Sequence, residues 1–272
     1  MTVHHAHADK IETSTVSAPR LYAWVVFALS FGLLISDYMS RQVLNAVFPL
    51  LKSEWVLSDA QLGLLSGIVS LMVGLLTVPL SMMADRWGRV RSLVLMAALC
   101  SLATLSCGLA QNYQHMFLAR LLVGIGEAAY GSVGIAVVLS VFPKHMRATL
   151  ISAFMAGGMF GSVLGMALGG IIAEHLGWRS AFVAMAIFGL VRAIIYPLVV
   201  KGTRLGTCDR VTAQSAKSDG RSPLRTLYAS RSVISAYVGS GLQMFIGGTL
   251  IVWLPSYMNR YYHMGTDQAG MI

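Results

Sequence analysis

Hydrophobic residues dominate this chain in long, continuous runs that short polar stretches separate. Most runs reach about 20 mostly apolar residues, the length that an α-helix needs to cross a bilayer. They lie at 21–47, 60–84, 92–110, 115–142, 148–173, 179–200 and 232–258. A membrane β-barrel would show alternating segments of about ten residues instead. The pattern therefore predicts an all-α membrane protein with seven spanning helices.

The composition supports a membrane environment. Of the 272 residues, 56% are hydrophobic and only 11% are charged, whereas a soluble domain has about 25% charged residues. A soluble core of this length could not bury so much apolar surface, so lipid must surround most of the chain.

Lysine and arginine residues are concentrated in one alternate set of loops, which predicts the orientation. This set holds Arg86, Arg89, Arg91, Lys144, Arg147 and the basic residues of 201–231. The opposite loops hold only Lys52, Arg179 and Arg260. We therefore expect a cytoplasmic amino terminus in a membrane of the bacterial inner-membrane type. Because the basic residues are scattered over several loops, the net charge of +9 does not indicate a nucleic-acid partner.

An internal repeat indicates how the chain is organised. The end of the first apolar helix holds Pro49, a polar loop follows, and Asp59 starts the next helix; the end of the seventh holds Pro255 and is followed in the same order by a polar loop and Asp267. This order suggests two copies of one helical unit. We predict a cytoplasmic tail at 1–20, a six-helix unit at 21–200, a cytoplasmic linker at 201–231 and the start of a truncated second unit at 232–272.

Four charged residues lie inside apolar runs: Asp37 and Arg41 in the first, Arg120 and Glu127 in the fourth. A charge at mid-bilayer costs roughly 2.5–3.5 kcal/mol on insertion scales, so such residues face a protein interior or an aqueous cavity. Each pair shares a helix face, because its members are one or two turns apart. We expect one common site, although buried ion pairs that only lock helix packing remain the alternative.

A buried carboxylate beside a removable cation can take up and release a proton when a conformational change alters its surroundings. We therefore expect Asp37 or Glu127 to carry a coupling proton, with Arg120 as the counter-charge. Arg192, in the sixth run, is expected to extend its side chain to the cytoplasmic surface rather than contact a substrate.

Small residues predict close helix packing in the fifth run. Its glycines recur every four residues, at Gly157, Gly161, Gly165 and Gly169, which leaves a smooth strip on one helix face. The glycines of the fourth run are the expected facing surface; these are Gly124, Gly126, Gly131 and Gly134.

The loop between the second and third runs reads Asp85-Arg86-Trp87-Gly88-Arg89-Val90-Arg91. It resembles the signature loop of the major facilitator superfamily of transporters. The resemblance implies a conformational switch that links neighbouring helices on the cytoplasmic side. In that role Asp85 would contact Arg147 when the protein faces outward.

Two further motifs narrow this resemblance. The run from Arg120 to Ala128, with Gly-Ile-Gly-Glu at its centre, is similar to the spinster-like subgroup. The Asp37-x-x-x-Arg41 tetrad is similar too, although many relatives have Asp directly followed by Arg. The resemblance implies a major-facilitator helical bundle that works as a secondary active transporter by alternating access. It also implies an anionic substrate, either a small organic anion or a lipid-like solute, and no cofactor. Proton symport is the expectation when the buried carboxylates are considered as well, and antiport and uniport stay open.

Other classes of function find no support in the sequence. We see no nucleophile elbow, no phosphate-binding glycine-rich loop and no Cys/His metal spacing, so neither an enzyme nor a metal site is expected. A channel would need a ring of polar residues, which the apolar runs do not offer. Because the apolar runs of helices eight to twelve are missing, a non-transporting fragment or a partner-dependent half-transporter is the alternative.

Overall fold

The apolar runs are helices in the computed structural model, which describes residues 20–200, 231–262 and 264–265. The helices are α1 (Arg20–Trp55), α2 (Asp59–Trp87), α3 (Arg89–Gly108), α4 (Tyr113–Glu127), α5 (Tyr130–Val141), α6 (Arg147–Leu176), α7 (Trp178–Val199) and α8 (Arg231–Tyr262). They form seven membrane-length spans, because α4 and α5 together make the fourth. The described residues contain no strand, so the predicted all-α membrane fold is confirmed.

The division into domains stays a prediction. The tail and the linker lie outside the described residues, as does Asp267. The spans α1 to α7 coincide with the predicted six-helix unit, and α8 coincides with the predicted first helix of a second unit. We name the two ends of the bundle by the predicted orientation: α1 begins at the cytoplasmic end and finishes at the outer end.

Helix α1 is the central element of the six-span unit. The glycines of α6 pack against it: a Cβ added at Gly165 would lie 2.5 Å from the Met39 backbone oxygen, and one added at Gly161 would lie 2.9 Å from that of Ile35. The predicted close approach is therefore present, but its main partner is α1 rather than the glycines of the fourth span. Those glycines mostly serve other neighbours, since Gly124 lies against α2 and Gly126 against α3.

The fourth span is broken, whereas the sequence predicted one continuous helix over 115–142. Helix α4 ends at Glu127, and α5 begins at Tyr130. Between them Ala129 has φ −112° and ψ 6°, outside the helical region. Tight packing of Gly124 and Gly126 against neighbouring helices holds the segment before the break in place.

Both repeat prolines lie inside helices, and both helices run past the predicted ends of their apolar runs, at 47 and 258. Pro49 is in the last two turns of α1, and Pro255 is in the last two turns of α8. Proline is compatible with helical φ and removes one backbone hydrogen bond, so a helix anchored on both sides can continue through it. At this outer end Trp253 of α8 packs on Phe48 of α1, with ring centroids 5.9 Å apart.

Candidate functional site: a charged layer between two cores

The buried apolar residues form two separate clusters. The outer core includes Val47, Leu65 and Phe182, and the cytoplasmic core includes Val26, Leu93 and Phe154. In chain position Asp37 lies between these cores on α1 and Glu127 does so on α4, whereas Arg41 and Arg120 lie among residues of the outer core, next to the boundary. These four residues therefore form a charged layer across the middle of the six-span unit.

Glu127 is the last residue of α4 and is 6% exposed. Its ion partner is Arg41 of α1, whose Nε lies 3.6 Å from Oε2. Neither carboxylate oxygen has a hydrogen bond to any described residue. A buried carboxylate without a hydrogen bond, whose nearest charge partner lies 3.6 Å away, is incompletely compensated.

Arg41 joins three helices in the layer. Besides its ion pair with α4, its Nη2 donates to Ser70 Oγ of α2 at 3.3 Å. Its side chain is 30% exposed, against 3% for that of Glu127. Arg41 is therefore the accessible positive charge of the layer, although its spacing made it the least certain of the four in the sequence.

Arg120 is buried at 1% exposure but does not pair with a carboxylate as predicted. Its Nη2 donates to the backbone oxygen of Arg41 at 3.5 Å. Its Nε and Nη1 find no hydrogen-bond partner in the described part of the chain. Arg41 is thus the nearest counter-charge of Glu127, and the more distant guanidinium of Arg120 also interacts electrostatically with that carboxylate. The role of Arg120 as counter-charge stays a prediction.

Asp37 faces a small cavity in the interior of the six-span unit. The cavity is about 10 Å³, close to the room that one water needs. Its lining is largely small or polar and comprises Leu33, Ser36, Asp37, Ser40, Ala97, Cys100, Ser101, Tyr130 and Gly189. The Cys100 thiol donates to Asp37 Oδ1 at 3.5 Å. Sequence reasoning missed Cys100, because an isolated cysteine in an apolar run carries no signal.

A carboxylate oxygen of Asp37, the sulfur of Cys100 and a carboxylate oxygen of Glu127 all lie within 4.8 Å of one another. Such a spacing is compatible with a bound cation, but the guanidinium of Arg41 already lies beside Glu127. A second positive charge would be opposed by this neighbour. The arrangement is better suited to a proton shared between two carboxylates.

The loop between α2 and α3 turns at Gly88, whose φ of 101° favours glycine. Asp85 pairs with Arg89, four residues along, at 3.1 Å. The predicted partner Arg147 is not its ion partner here, because the short i,i+4 reach to Arg89 satisfies the carboxylate locally. Arg86, Arg91 and Arg147 are exposed. The switch role of this loop stays a prediction.

A second charged cluster at the outer end was missed by the sequence reasoning. Asp59, at the start of α2, accepts from Lys52 at 2.6 Å and from both terminal nitrogens of Arg260 at 2.6 and 3.0 Å. Arg260 belongs to α8, so this outer clamp of Lys52, Asp59 and Arg260 ties the seventh span to the first two. Arg260 and Asp59 are 201 positions apart in the chain, so a local sequence pattern could not predict their contact.

Arg192 does not extend to the cytoplasmic surface as expected. Its Nη1 would lie 1.8 Å from a Cβ added at Gly32 of α1, and its guanidinium lies 4.4 Å from the ring centroid of Phe188. The missing side chain at Gly32 leaves room for the guanidinium, and the aromatic face attracts it. The side chain therefore lies in a groove between α1 and α7.

Comparisons with known proteins identify the family and the fold. The sequence profile of the Major Facilitator Superfamily matches residues 29–272. The chain is 28% identical over 265 residues to the gallate transporter of Pseudomonas putida, which covers 92% of this chain and 57% of that protein. It is 25% identical over 236 residues to the sphingosine-1-phosphate transporter SPNS2 of Mus musculus, covering 85% of this chain and 43% of that one.

Among solved structures, the chain resembles a bacterial homolog of the human lysosomal transporter Spinster, solved in an inward-facing and occupied conformation. The TM-score is 0.79 at 24% identity, over 93% of this chain and 58% of that one. The likeness shows the fold. The chain thus spans about half the length of the relatives that it matches.

Proposed function

Because the chain belongs to the major facilitator superfamily, we propose that it is part of a secondary transporter that moves an anionic solute by alternating access. The solute is a small organic anion or a lipid-like anion, and a proton moves with it in symport. The motifs of the sequence predicted membership of this family, and the profile match over 29–272 confirms it. It also confirms that the chain is not an enzyme, since the matched relatives are transporters.

The observation that best supports proton coupling is the buried environment of the Glu127 carboxylate. Its carboxylate is buried in the middle of a spanning segment, lacks hydrogen bonds to described residues and has Arg41 3.6 Å away. An ionisable group is kept at this depth chiefly for substrate or proton movement. Asp37 offers a second carboxylate within 4.8 Å, so one proton can serve both.

Arg41 is the residue best placed to attract an anion. It is half-buried and is the more exposed arginine of the layer, and a guanidinium can bind a carboxylate or a phosphate through two hydrogen bonds. An anion bound there competes with Glu127 for the same guanidinium. Release of Glu127 from Arg41 favours protonation of its carboxyl, which links solute binding to proton uptake.

Uptake into proteoliposomes tests this proposal. The purified chain is reconstituted, and uptake of gallate and of sphingosine-1-phosphate is measured with and without an inward-directed proton gradient. If the chain transports alone, the gradient should stimulate saturable uptake of one of them, and Glu127→Gln should abolish that stimulation. Glu54→Gln, which removes a carboxylate at the outer surface, is the matched control. Coupling that persists in Glu127→Gln would refute the role of Glu127.

A partner-dependent half-transporter or a non-transporting fragment is the second candidate. It is favoured by α8, in which most of the side chains before the outer clamp are exposed. Helix packing with a further unit would cover these side chains. No saturable uptake by the chain alone, in the same vesicles, would support this candidate over the first.

The multi-pass arrangement follows from the seven spans. We further expect a bacterial-type inner membrane with the amino terminus in the cytoplasm, on the basis of the loop charges. A membrane-impermeant thiol reagent should then label Cys208 in inside-out vesicles but not in intact cells. Cys100 and Cys107 are buried and should stay unlabelled in both.

A further inference from the structure

We propose that Thr77 is a positioning residue for Glu127. Its hydrogen bond to the Ala128 carbonyl holds the fourth span broken directly after Glu127, and the break sets how readily that carboxylate takes up a proton. The inference rests on the proposed function, because it explains how proton uptake by Glu127 is controlled.

The hydrogen bond connects two separate spans. Thr77 Oγ1 of α2 lies 2.7 Å from the backbone oxygen of Ala128, in the turn between α4 and α5. A carbonyl left without a partner inside a membrane is costly, so a break in a spanning helix needs such a donor. Thr77 supplies it, and the side chain is half-buried at this interface.

The Thr77 hydroxyl has two acceptors within reach. It also lies within hydrogen-bond distance of the Val73 backbone oxygen, in its own helix. A hydroxyl carries one hydrogen, so it donates fully to one of the two carbonyls at a time. Donation to Ala128 supports the broken fourth span, and donation to Val73 releases it. The hydroxyl is therefore a two-position element between α2 and the fourth span.

The break matters for Glu127 because of where it puts the end of α4. The carboxylate lies at the carboxyl end of a helix, where the peptide dipoles present partial negative charge. This position disfavours a second negative charge and so favours the protonated form. In a continuous helix Glu127 would lie in the helix interior, where it would not meet the partial negative charge of a helix carboxyl end.

Helix α2 also carries the loop that the sequence identifies as a conformational switch. Thr77 precedes Asp85 by eight residues, which is about 12 Å along the helix axis. The residues before the break pack against two helices, because Gly124 lies against α2 and Gly126 lies against α3. A movement of α2 relative to α3 therefore acts on the end of α4, where Thr77 contacts Ala128.

Several charged or titratable groups surround Glu127. Helix α1 contributes Asp37, Tyr38 and Arg41, α3 contributes Cys100, and α4 contributes Arg120. Thr77 is uncharged, and its replacement removes none of these groups. A change in the titration of Glu127 on mutation of Thr77 would therefore report the helix break and not a lost charge.

The test is infrared difference spectroscopy of the purified full chain, titrated with pH. The protonated-carboxyl band that Glu127→Gln removes identifies Glu127. In Thr77→Val, which keeps the side-chain shape, the midpoint of this band should fall by about 0.5 pH unit, the size of one helix-end interaction. Thr77→Ser keeps the hydroxyl and should titrate like the parent chain.

A matched control is available one turn along α2. Ser81 bonds Ser132 across the same interface, with 2.9 Å between the hydroxyl oxygens, and Ser81→Ala should leave the midpoint unchanged. An unchanged midpoint in Thr77→Val, or an equal shift in Ser81→Ala, overturns the role of Thr77 alone. Absence of any titrating Glu127 band in the parent chain overturns the proton role as well. Should Thr77→Val not fold, Thr77→Ala removes the same hydroxyl and is read in the same way.

Discussion

At the scale of single residues, the ion pair of Arg41 and Glu127 defines the site. Four charges in two apolar runs were enough to predict a common site, because a bilayer tolerates so few. The pairing within the site could not be predicted. It depends on side-chain reach between helices, and Arg120 meets the backbone of α1 rather than the carboxylate.

Removal of Arg41 should destabilise the chain, because it leaves the buried Glu127 carboxylate without its ion partner. Arg41→Gln should lower the free energy of unfolding by about 2 kcal/mol, less than the roughly 3–5 kcal/mol typical of fully buried pairs, because its side chain is 30% exposed. Unfolding in mixed micelles at neutral pH measures this loss. Combining the change with Glu127→Gln should restore part of the stability. A double variant as unstable as the sum of the two single variants would show that the pair does not interact.

At the scale of helices, the glycine strip of α6 determines how closely α1 can approach. Its spacing was visible in the sequence, but its partner was not, since several helices carry small residues. The structure places Met39 of α1 against Gly165. In the fourth span, too, the glycines predicted tight packing. The break after Glu127 could not be predicted, because the sequence there has no proline or other helix-breaking signal.

Gly165→Ala should force α1 and α6 apart. The added Cβ would lie 2.5 Å from Met39 backbone atoms, which cannot move without shifting the helix. Overpacking of this kind costs about 1–3 kcal/mol, measurable as a lower melting temperature of the purified chain. Gly74→Ala is the matched control, because its Cβ would meet nothing within 4 Å and should leave stability unchanged or slightly higher. Equal melting temperatures for the two variants would contradict the packing described for α1 and α6.

At the scale of the whole molecule, the outer clamp connects α8 to the six-span unit. Its contacts with that unit include an ion pair of Arg260 with Asp59 and ring packing of Trp253 on Phe48. The sequence indicated a repeat beginning at residue 232, but it could not show where the repeat would dock. The packing of α8 on the six-span unit depends on residues far apart in the chain, whereas the repeat is recognised from the order of neighbouring residues.

Arg260→Gln should loosen the outer end of α8 without unfolding the other spans. Backbone amides of residues 256–262 should exchange hydrogen for deuterium faster, as followed by mass spectrometry, and high salt should speed exchange in the parent chain too. Arg179→Gln breaks a different outer pair, with Glu54, and should leave α8 exchange unchanged. Similar acceleration in both variants would mean that the clamp does not hold α8.

The charged layer also has a consequence for biosynthesis. Each of its two spans carries one acid and one base, two turns apart or less: Asp37 with Arg41, and Arg120 with Glu127. Each span can therefore leave the translocon with its charges balanced within itself, before any other helix has arrived. Only after the fourth span is made can Arg41 pair with Glu127. We therefore expect the Arg41–Glu127 pair to form only after two segments, each without net charge from these four residues, have entered the lipid.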